Sequence, residues 1–375
     1  MAEDIFDVII VGGGIAGCTA ACRLAQEGMG VLLVERGNSI GNKNMTGGRL
    51  YTHSLKKIIP DIADAAPVER RIVVERYTYQ EEGSQTTWER KEPDLSFEGE
   101  SYSVLGAVFD KWLGERAEEE GAMVVTGIRV DDLLVRDGHV CGIVAGEDEM
   151  EAKAVILADG VNSLLAQKLG LKAELKMEET EVGAKEVLAM EPADIEERFG
   201  LSPGEGLQWI FEGQSCFGQK GTGFLYTNKD SISIGILTGT EAISSTGQAV
   251  TDLVDRFKEN PAVKPYLEGA KLTEYSAHLL TKGTGSSLSK LSGNGVLVIG
   301  DAAGMVVNRG YLVRGMDLAV ESALLAAEAV IKANELDDFG EDQLKSYDES
   351  VRQSFIVQDM NREEPFDAKL EKIFG

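Results

Sequence analysis

Six residues near the start of the chain, Gly12 to Gly17, have types and spacing that suit binding of a dinucleotide. They follow an apolar run that predicts a strand, and they open a run that predicts a helix. Gly12 allows a tight turn, Gly14 lets the backbone approach a pyrophosphate, and Gly17 lets helix and strand pack closely. The pyrophosphate would lie at the helix N-terminus, where unpaired N–H groups converge.

Glu35 supports this interpretation, because it ends the second predicted strand eighteen residues after Gly17. A carboxylate at that place accepts hydrogen bonds from ribose hydroxyls and disfavours a 2′-phosphate. The alternative is that these glycines only form a turn, but a simple turn would require neither the helix that follows them nor the carboxylate of Glu35. The fingerprint alone does not separate NAD from FAD.

Asp301 separates the two cofactors. It follows Gly300 at the end of an apolar run, residues 296–299. If that run lies in the same parallel sheet as the first strand, Gly300 and Asp301 emerge in the crevice where such sheets bind ligands. Asp301 can then accept hydrogen bonds from a ribityl chain, which FAD has and NAD lacks. A carboxylate that caps the following helical turn is the alternative, and the two are compatible.

The redox centre would need no acid or base residue, so none is assigned as catalytic. A helix predicted to begin near Gly315 would point its positive end at a flavin ring and stabilise the negative charge of the reduced form. Arg309 and Arg314 either add to this field or are solvated. Gly47 and Gly48 permit close backbone approach to a flat ring.

The remaining candidates are weaker. Asp159 and Gly160 end another apolar strand, where the chain turns sharply near the predicted cofactor. The histidines, His53, His139 and His278, have no triad or metal spacing, and we expect them to be solvated or in the core. For Lys185 and Glu186 an ordinary salt bridge is favoured over a pocket. Four cysteines lack metal or iron–sulfur spacing, and Cys18 and Cys22 suit the interior of a helix.

Composition excludes some classes of protein. The 375 residues include 63 acidic and 37 basic ones, a formal net charge of −26, which repels phosphate backbones and argues against nucleic acid. Solubility explains this acidity, and a halophilic origin is an alternative. No basic signal region begins the chain, and no apolar run approaches the roughly 18 residues of a membrane span. We expect a cytoplasmic protein, with peripheral contact at the inner membrane face left open.

The pattern of elements predicts an α/β (α+β) fold, in which an inserted antiparallel-sheet substrate subdomain joins a Rossmann-like FAD-binding domain. Residues 38–60 are predicted as a loop and a short helix, and an Asn-Lys-Asp turn near residue 229 predicts a hairpin. We predict a discontinuous FAD-binding domain formed by residues 1–67, 100–175 and 276–336. A substrate or acceptor subdomain is predicted for residues 68–99 and 176–275, and a C-terminal helical segment for residues 337–375.

Seven segments together resemble the FixC-type proteins, a branch of the electron-transfer-flavoprotein:quinone oxidoreductases. The wider group shares the para-hydroxybenzoate-hydroxylase-like FAD fold and includes geranylgeranyl reductases. The segments run in the right order along nearly the whole chain: "DVIIVGGGIAG", "NMTGGRLYTHSLKKIIP", "YSVLGAVFDKWL", "VILADGVNS", "GFLYTNKDSISIGI", "YSAH" and "VIGDAAGMVVNRGYLVRGMDLA".

The resemblance implies an FAD protein that takes electrons from an electron-transfer flavoprotein and passes them to quinone, with a small ferredoxin-like partner. It also implies that the backbone of Val130 meets the adenine and that the loop through Gly310 and Tyr311 surrounds the isoalloxazine. The full set of cofactor-binding residues is then Gly12, Gly14, Ile15, Ala16, Gly17, Glu35, Arg36, Gly47, Gly48, Arg49, Val130, Asp159, Gly160, Gly300, Asp301, Gly310 and Tyr311.

Two departures from the family pattern stand out. Gly106 occupies a place where relatives usually have an arginine that reaches the cofactor. The chain ends at Gly375, where relatives continue for several dozen residues. We therefore keep two alternatives to the quinone oxidoreductase: a prenyl-lipid (geranylgeranyl) reductase, and a flavin electron-transfer subunit that is active only within a complex.

Overall fold

The structure, a computed structural model, describes residues 5–42, 47–91, 100–213, 217–283, 288, 290–310 and 312–362. The strands are β1 (Phe6–Val11), β2 (Val31–Glu35), β3 (Gly47–Tyr51), β4 (Arg71–Glu81), β5 (Ser84–Lys91), β6 (Ser101–Leu105), β7 (Met123–Thr126), β8 (Asp132–Arg136), β9 (His139–Ala145), β10 (Asp148–Leu157), β11 (Thr180–Ala189), β12 (Glu205–Glu212), β13 (Thr222–Thr227), β14 (Ser231–Gly239), β15 (Lys271–Thr281), β16 (Ser292–Gly293), β17 (Val296–Val298), β18 (Val307–Asn308) and β19 (Val313–Arg314).

The α-helices are α1 (Ile15–Gln26), α2 (Ile62–Ala65), α3 (Gly106–Glu119), α4 (Leu164–Lys168), α5 (Pro192–Phe199), α6 (Thr240–Thr246), α7 (Val250–Lys258), α8 (Met316–Leu336), α9 (Glu341–Gln353) and α10 (Phe355–Asn361). Short 3₁₀ turns cover Leu55–Lys57, Met177–Glu179, Lys264–Leu267 and Gly300–Ala303. Within the described ranges, none of these helices combines the length and apolar character needed to cross a bilayer.

The first sheet is parallel along β17, β10, β1, β2 and β7, in that order. Ile9 lies beside Val155, and Val155 lies beside Val296. Strands covered on both faces are almost entirely apolar, as β1 and β17 are. The prediction that residues 296–299 return to the sheet begun by the first strand is therefore confirmed.

Helix α1 packs against this sheet and against α8 and α3. Cys18 and Cys22 are fully buried in that packing, as expected for small apolar side chains. Gly17 sits in the first turn of α1, where a Cβ atom would lie 1.9 Å from the carbonyl oxygen of Gly12. A side chain at this position would force the helix away from β1.

We expect Gly17→Ala to destabilise the protein, although alanine normally favours a helix over glycine. Overpacking of this kind costs about 1–3 kcal/mol. Urea unfolding followed by circular dichroism measures the change in the free energy of unfolding. Gly30→Ala is the matched control, because its nearest neighbour would be 3.4 Å away. Equal effects of the two variants would contradict the close approach of α1 and β1.

The second sheet has nine strands, in the order β15, β11, β14, β13, β12, β4, β6 and β3, with β5 beside β4. Its pairs are antiparallel except for β12 with β4. One face packs against the apolar side of α7, whereas Phe224, Tyr226 and Leu237 project from the other face. The predicted hairpin is confirmed, since Asn228 N–H donates to the carbonyl of Ser231 at 2.8 Å.

The loop predicted for residues 38–60 is wrong in one part, because Gly47–Tyr51 forms strand β3. Its pairing partner is β6, about fifty residues later in the chain. A strand that begins with two glycines and is fixed by a distant partner gives little alternation of its own. The two sheets establish the α/β fold class, and the division into the three sets of ranges given above stays a prediction.

Candidate cofactor site

A cavity of about 580 Å³ lies where the carboxyl ends of β1, β2, β10 and β17 meet the second sheet. Strands of both sheets and residues of α1, α4 and α8 contribute to its wall. Thirteen of the predicted cofactor-binding residues line it: Gly12, Gly14, Ile15, Ala16, Glu35, Arg36, Gly47, Gly48, Arg49, Val130, Asp159, Gly160 and Asp301.

Three predicted residues do not line the cavity. Gly17 packs against Gly12, as described above. A Cβ on Gly300 would lie 3.0 Å from the Cβ of Ala16, so Gly300 lets the end of β17 approach α1. Gly310 lies against the carboxylate of Glu212, which occupies the place of a side chain there. Tyr311 lies outside the described residues. A direct role of these four residues in FAD binding stays a prediction.

The glycine turn is held by Glu35. Its Oε2 accepts a hydrogen bond from Gly13 N–H at 2.8 Å, and its Oε1 accepts one from Gly37 N–H at 2.6 Å. Gly14 caps α1 without a side-chain hydrogen bond, and the first turn contains no acidic residue. The N-terminus of α1 therefore presents open N–H groups and a positive dipole to the cavity.

Asp301 lies in the 3₁₀ turn that follows β17, and it lines the cavity. The N-cap of this turn is Ile299, so the capping alternative for Asp301 is not observed. Within the described part of the chain, no donor makes a hydrogen bond to its carboxylate. Burial raises the pKa of Asp301, and the charges of His278 and Lys172 oppose that shift. An acceptor thus points into the cavity with its hydrogen-bonding capacity free.

Sequence reasoning missed Lys172 and undervalued His278. The Nζ of Lys172 donates to the carbonyl of Ala302 at 2.8 Å and to that of Val161 at 2.5 Å. Burial lowers the pKa of Lys172 to about 8, against the opposing charges of Asp159 and Asp301. His278 comes from β15 and lines the cavity. Neither residue belongs to a recognisable motif, and only the tertiary pairing of β15 with β11 brings His278 here.

Asp159 also lies at the cavity, at the end of β10. Its Oδ1 accepts a hydrogen bond from the hydroxyl of Ser163 at 2.7 Å. Burial raises the pKa of Asp159, and this hydrogen bond opposes the shift. Gly160 beside it has a φ of +81°, and a Cβ there would meet no atom within 4 Å. The backbone conformation, and not a lack of space, therefore favours glycine at this position.

The end of the cavity next to the second sheet has a largely apolar wall. The apolar side chains are those of Phe224, Leu237, Leu280 and Val313, together with the ring of Tyr226. Burial raises the pKa of Tyr226 to about 12. Gly47 and Gly48 complete this end with φ values of +146° and +144°, a region that favours glycine. Such a backbone and such a wall suit a flat ring.

Two arginines near this end are already engaged. Arg49 donates from Nε to the hydroxyl of Ser101 at 2.9 Å and forms an ion pair with Glu75. Arg314 is only 3% exposed, and it pairs with Asp317 in the first turn of α8 and with Asp359 of α10. The solvated alternative is therefore wrong for Arg314.

The N-terminus of α8 reaches the cavity through Gly315 and Met316, as predicted for the helix near Gly315. Asp317 in its first turn offsets part of the positive dipole, and Arg314 in turn neutralises Asp317. Glu186 forms an ion pair with Lys258 at 2.8 Å, whereas the Nζ of Lys185 lies 4.0 Å from Glu274, the outer limit of an ion pair. Among the described residues, no cluster of three or more potential metal ligands is present.

These features fit FAD as a resident cofactor. The open helix N-terminus suits a pyrophosphate, the free carboxylate of Asp301 suits a polyol, and the paired glycines suit a flat ring. FAD would supply the electron-transfer chemistry, and the chain would supply its binding and orientation.

Comparison with known proteins agrees with FAD as the cofactor. A family model described as FAD dependent oxidoreductase matches residues 7–261. Protein FixC of Escherichia coli strain K12 is 48% identical over 348 residues, which cover 92% of this chain and 81% of FixC. A probable electron transfer flavoprotein-quinone oxidoreductase of the same strain, YdiS, is 45% identical over 96% of this chain and 84% of its own length.

Among solved structures, a geranylgeranyl bacteriochlorophyll reductase-like protein from Thermoplasma acidophilum superposes with a TM-score of 0.78. The match covers 94% of this chain and 84% of that protein at 20% identity, which shows a shared fold. This chain is nearly half identical to FixC along almost all of the chain's own length. It therefore belongs to the FixC-type branch of the FAD dependent oxidoreductases and is an FAD-binding electron-transfer oxidoreductase.

Proposed function

We propose that this protein takes electrons from an electron-transfer flavoprotein and passes them through FAD to a quinone. The observation that carries the proposal is the composition of the cavity. Its end at Gly12 and Gly14 suits the nucleotide half of FAD, and its end next to the second sheet has an apolar wall that can accept a quinone beside the flavin ring. The name of YdiS, a probable electron transfer flavoprotein-quinone oxidoreductase, supports the choice of donor and acceptor.

The residues would divide the work along the cavity. Gly12, Gly14 and Glu35 hold the adenosine diphosphate half together with the backbone of Val130, and Asp301 holds the ribityl chain. The remaining predicted residues that line the cavity, Ile15, Ala16, Arg36, Gly47, Gly48, Arg49, Asp159 and Gly160, complete the FAD site. FAD supplies the two-electron chemistry when it is bound.

The apolar wall of the second sheet would bind the acceptor and exclude water from it. Phe224, Leu237 and Leu280 offer flat and aliphatic surfaces, and apolar surface of this kind favours a quinone ring over water by about 25 cal/mol per Å² buried. A ferredoxin-like protein would be an additional partner, and contact with a membrane would be peripheral. The prenyl-lipid reductase alternative is supported by fold alone.

The test is reoxidation of the bound flavin. Protein reduced anaerobically with dithionite is mixed with a short-chain benzoquinone, and the return of the oxidised flavin spectrum is followed by stopped flow. We expect reoxidation by quinone to be much faster than in buffer without an acceptor. Reduction of the flavin by a reduced electron-transfer flavoprotein tests the donor. Rates with quinone no greater than in buffer, with saturation of a geranylgeranyl lipid instead, would support the prenyl reductase.

A variant of the apolar wall locates the acceptor. Leu280→Phe fills space in the wall, so we expect slower reoxidation by quinone with unchanged FAD content. Leu272→Phe is the matched control, because Leu272 lies on the same strand and is 57% exposed outside the cavity. Identical quinone rates in the two variants would place the acceptor elsewhere.

A further inference from the structure

Lys185 is a buried ammonium group for which the fold gives no adequate partner. Its side chain is 1% exposed, and its Nζ lies 4.0 Å from Oε1 of Glu274, which is itself 42% exposed. Among the residues that the structure describes, no oxygen accepts a hydrogen bond from Nζ. Burial lowers the pKa of Lys185, and Glu274 offsets this only in part.

Such an arrangement is unfavourable for stability. Removing an ammonium group from water costs several kcal/mol, and one partly hydrated carboxylate at 4.0 Å does not offset that cost. Lysine at this position is therefore better explained by a ligand than by packing. The neighbouring hydroxyl of Ser276, directly across from Lys185 on β15, is also buried without a hydrogen-bond partner in the described ranges.

The position of Lys185 indicates where that ligand lies. In the register of the second sheet, Lys185 faces Gly235, and Gly235 faces Phe224 of the cavity wall. Residues directly opposite each other in a sheet share a face, so Lys185 projects from the same face as Phe224. Its Nζ lies against the backbone of Gly47, within 2.7 Å of the place that a Cβ would occupy. Gly47 itself lines the cavity.

We propose that Lys185 places a positive charge beside a carbonyl-bearing ring at the Gly47–Gly48 end of the cavity and stabilises the anion formed when that ring is reduced. Uptake of two electrons and one proton converts either an oxidised flavin or a quinone into such an anion. Lys185 is a positioning residue in this role, and no bond to it forms or breaks. The flavin version rests on FAD binding alone, whereas the quinone version rests on the proposed function.

The first measurement is the midpoint potential of bound FAD, by anaerobic reductive titration against a reference dye without quinone. If the ring is the flavin, Lys185→Met should weaken the preference for the reduced form about tenfold. This lowers a two-electron potential by about 30 mV. Lys185→Arg should restore most of the loss. Lys258→Met is the matched control, since Lys258 pairs with Glu186 on the opposite face of the same sheet.

The second measurement is the dissociation constant of a short-chain benzoquinone for the oxidised protein, by quenching of intrinsic fluorescence. Weaker quinone binding in Lys185→Met, with an unchanged flavin potential, would assign the charge to the acceptor. If the wild-type protein binds no quinone, the proposed function fails while the flavin measurement still stands. If Lys185→Met and Lys258→Met have the same flavin potential and the same quinone affinity, the proposal is overturned.

A variant at Glu274 tests the proposal without replacing the buried Lys185, so a folding defect at the lysine does not affect the result. Glu274→Gln removes the only carboxylate that pairs with Lys185 among the described residues. The field of Lys185 at the cavity should then strengthen, so the flavin potential should rise or quinone binding should tighten, opposite in sign to Lys185→Met. No change in either quantity would also overturn the proposal.

Discussion

Replacing Arg314 with methionine is expected to lower the free energy of unfolding by about 3–5 kcal/mol, because it leaves a buried carboxylate without its partner. Asp317 is 1% exposed, and the guanidinium of Arg314 is its ion-pair partner. The same guanidinium reaches Asp359 at 2.9 Å and lies over the ring of Tyr51 at 5.0 Å. One side chain thus joins β19, α8 and α10.

The measurement is urea unfolding at a fixed excess of FAD, because bound FAD itself stabilises the native state. Arg136→Met is the matched control. Arg136 pairs with Glu151 at an exposed site, where loss of an ion pair has little effect on stability. The double variant Arg314→Met/Asp317→Asn should recover part of the loss, since the unpaired charge is gone. A loss below about 1 kcal/mol in Arg314→Met would show that Asp317 finds another partner or becomes hydrated.

Replacing Asp301 with alanine is expected to weaken FAD binding by about 1.5–3 kcal/mol, the contribution of a hydrogen bond to a charged group. This corresponds to a rise of roughly 10- to 150-fold in the dissociation constant. The physical reason is the free carboxylate at the cavity, which accepts no hydrogen bond within the described part of the chain. Fluorescence titration of the apoprotein with FAD gives the constant directly.

Asp348 provides a matched control for this variant. Its carboxylate accepts a hydrogen bond from Leu291 N–H at 2.9 Å, and it does not line the cavity. Asp348→Ala should reduce stability and leave the affinity for FAD unchanged. If Asp301→Ala binds FAD as tightly as the wild-type protein, Asp301 does not contact the cofactor and the assignment of the ribityl chain is wrong.

The adenosine side of the candidate site was predictable because its signals are local. The turn from Gly12 to Gly17, Glu35 and the end of β17 each lie within a few residues of a strand that its own composition predicts. Asp301 required one further step, the pairing of β17 with β10, and apolar composition on both faces made that step possible.

The ring side was much less predictable. Phe224, Leu280 and His278 reach the cavity from β13 and β15, which are distant from β3 in the chain and belong to the second sheet. Alternation predicts which residues share a face of a strand, and it does not predict which strand becomes the neighbour. Lys172 lacked a signal altogether, because its acceptors are backbone carbonyls that only the fold brings near.

The two hydrogen bonds that Glu35 accepts from Gly13 and Gly37 have a consequence for how FAD enters. They fix the shape of the turn from Gly12 to Gly17 through contacts within the protein, so the turn is preorganised in the folded chain. Little backbone entropy then remains to be lost at that end when the dinucleotide arrives. If the nucleotide half of FAD binds at this turn as proposed, the entropic cost of ordering the turn is met during folding and not on binding.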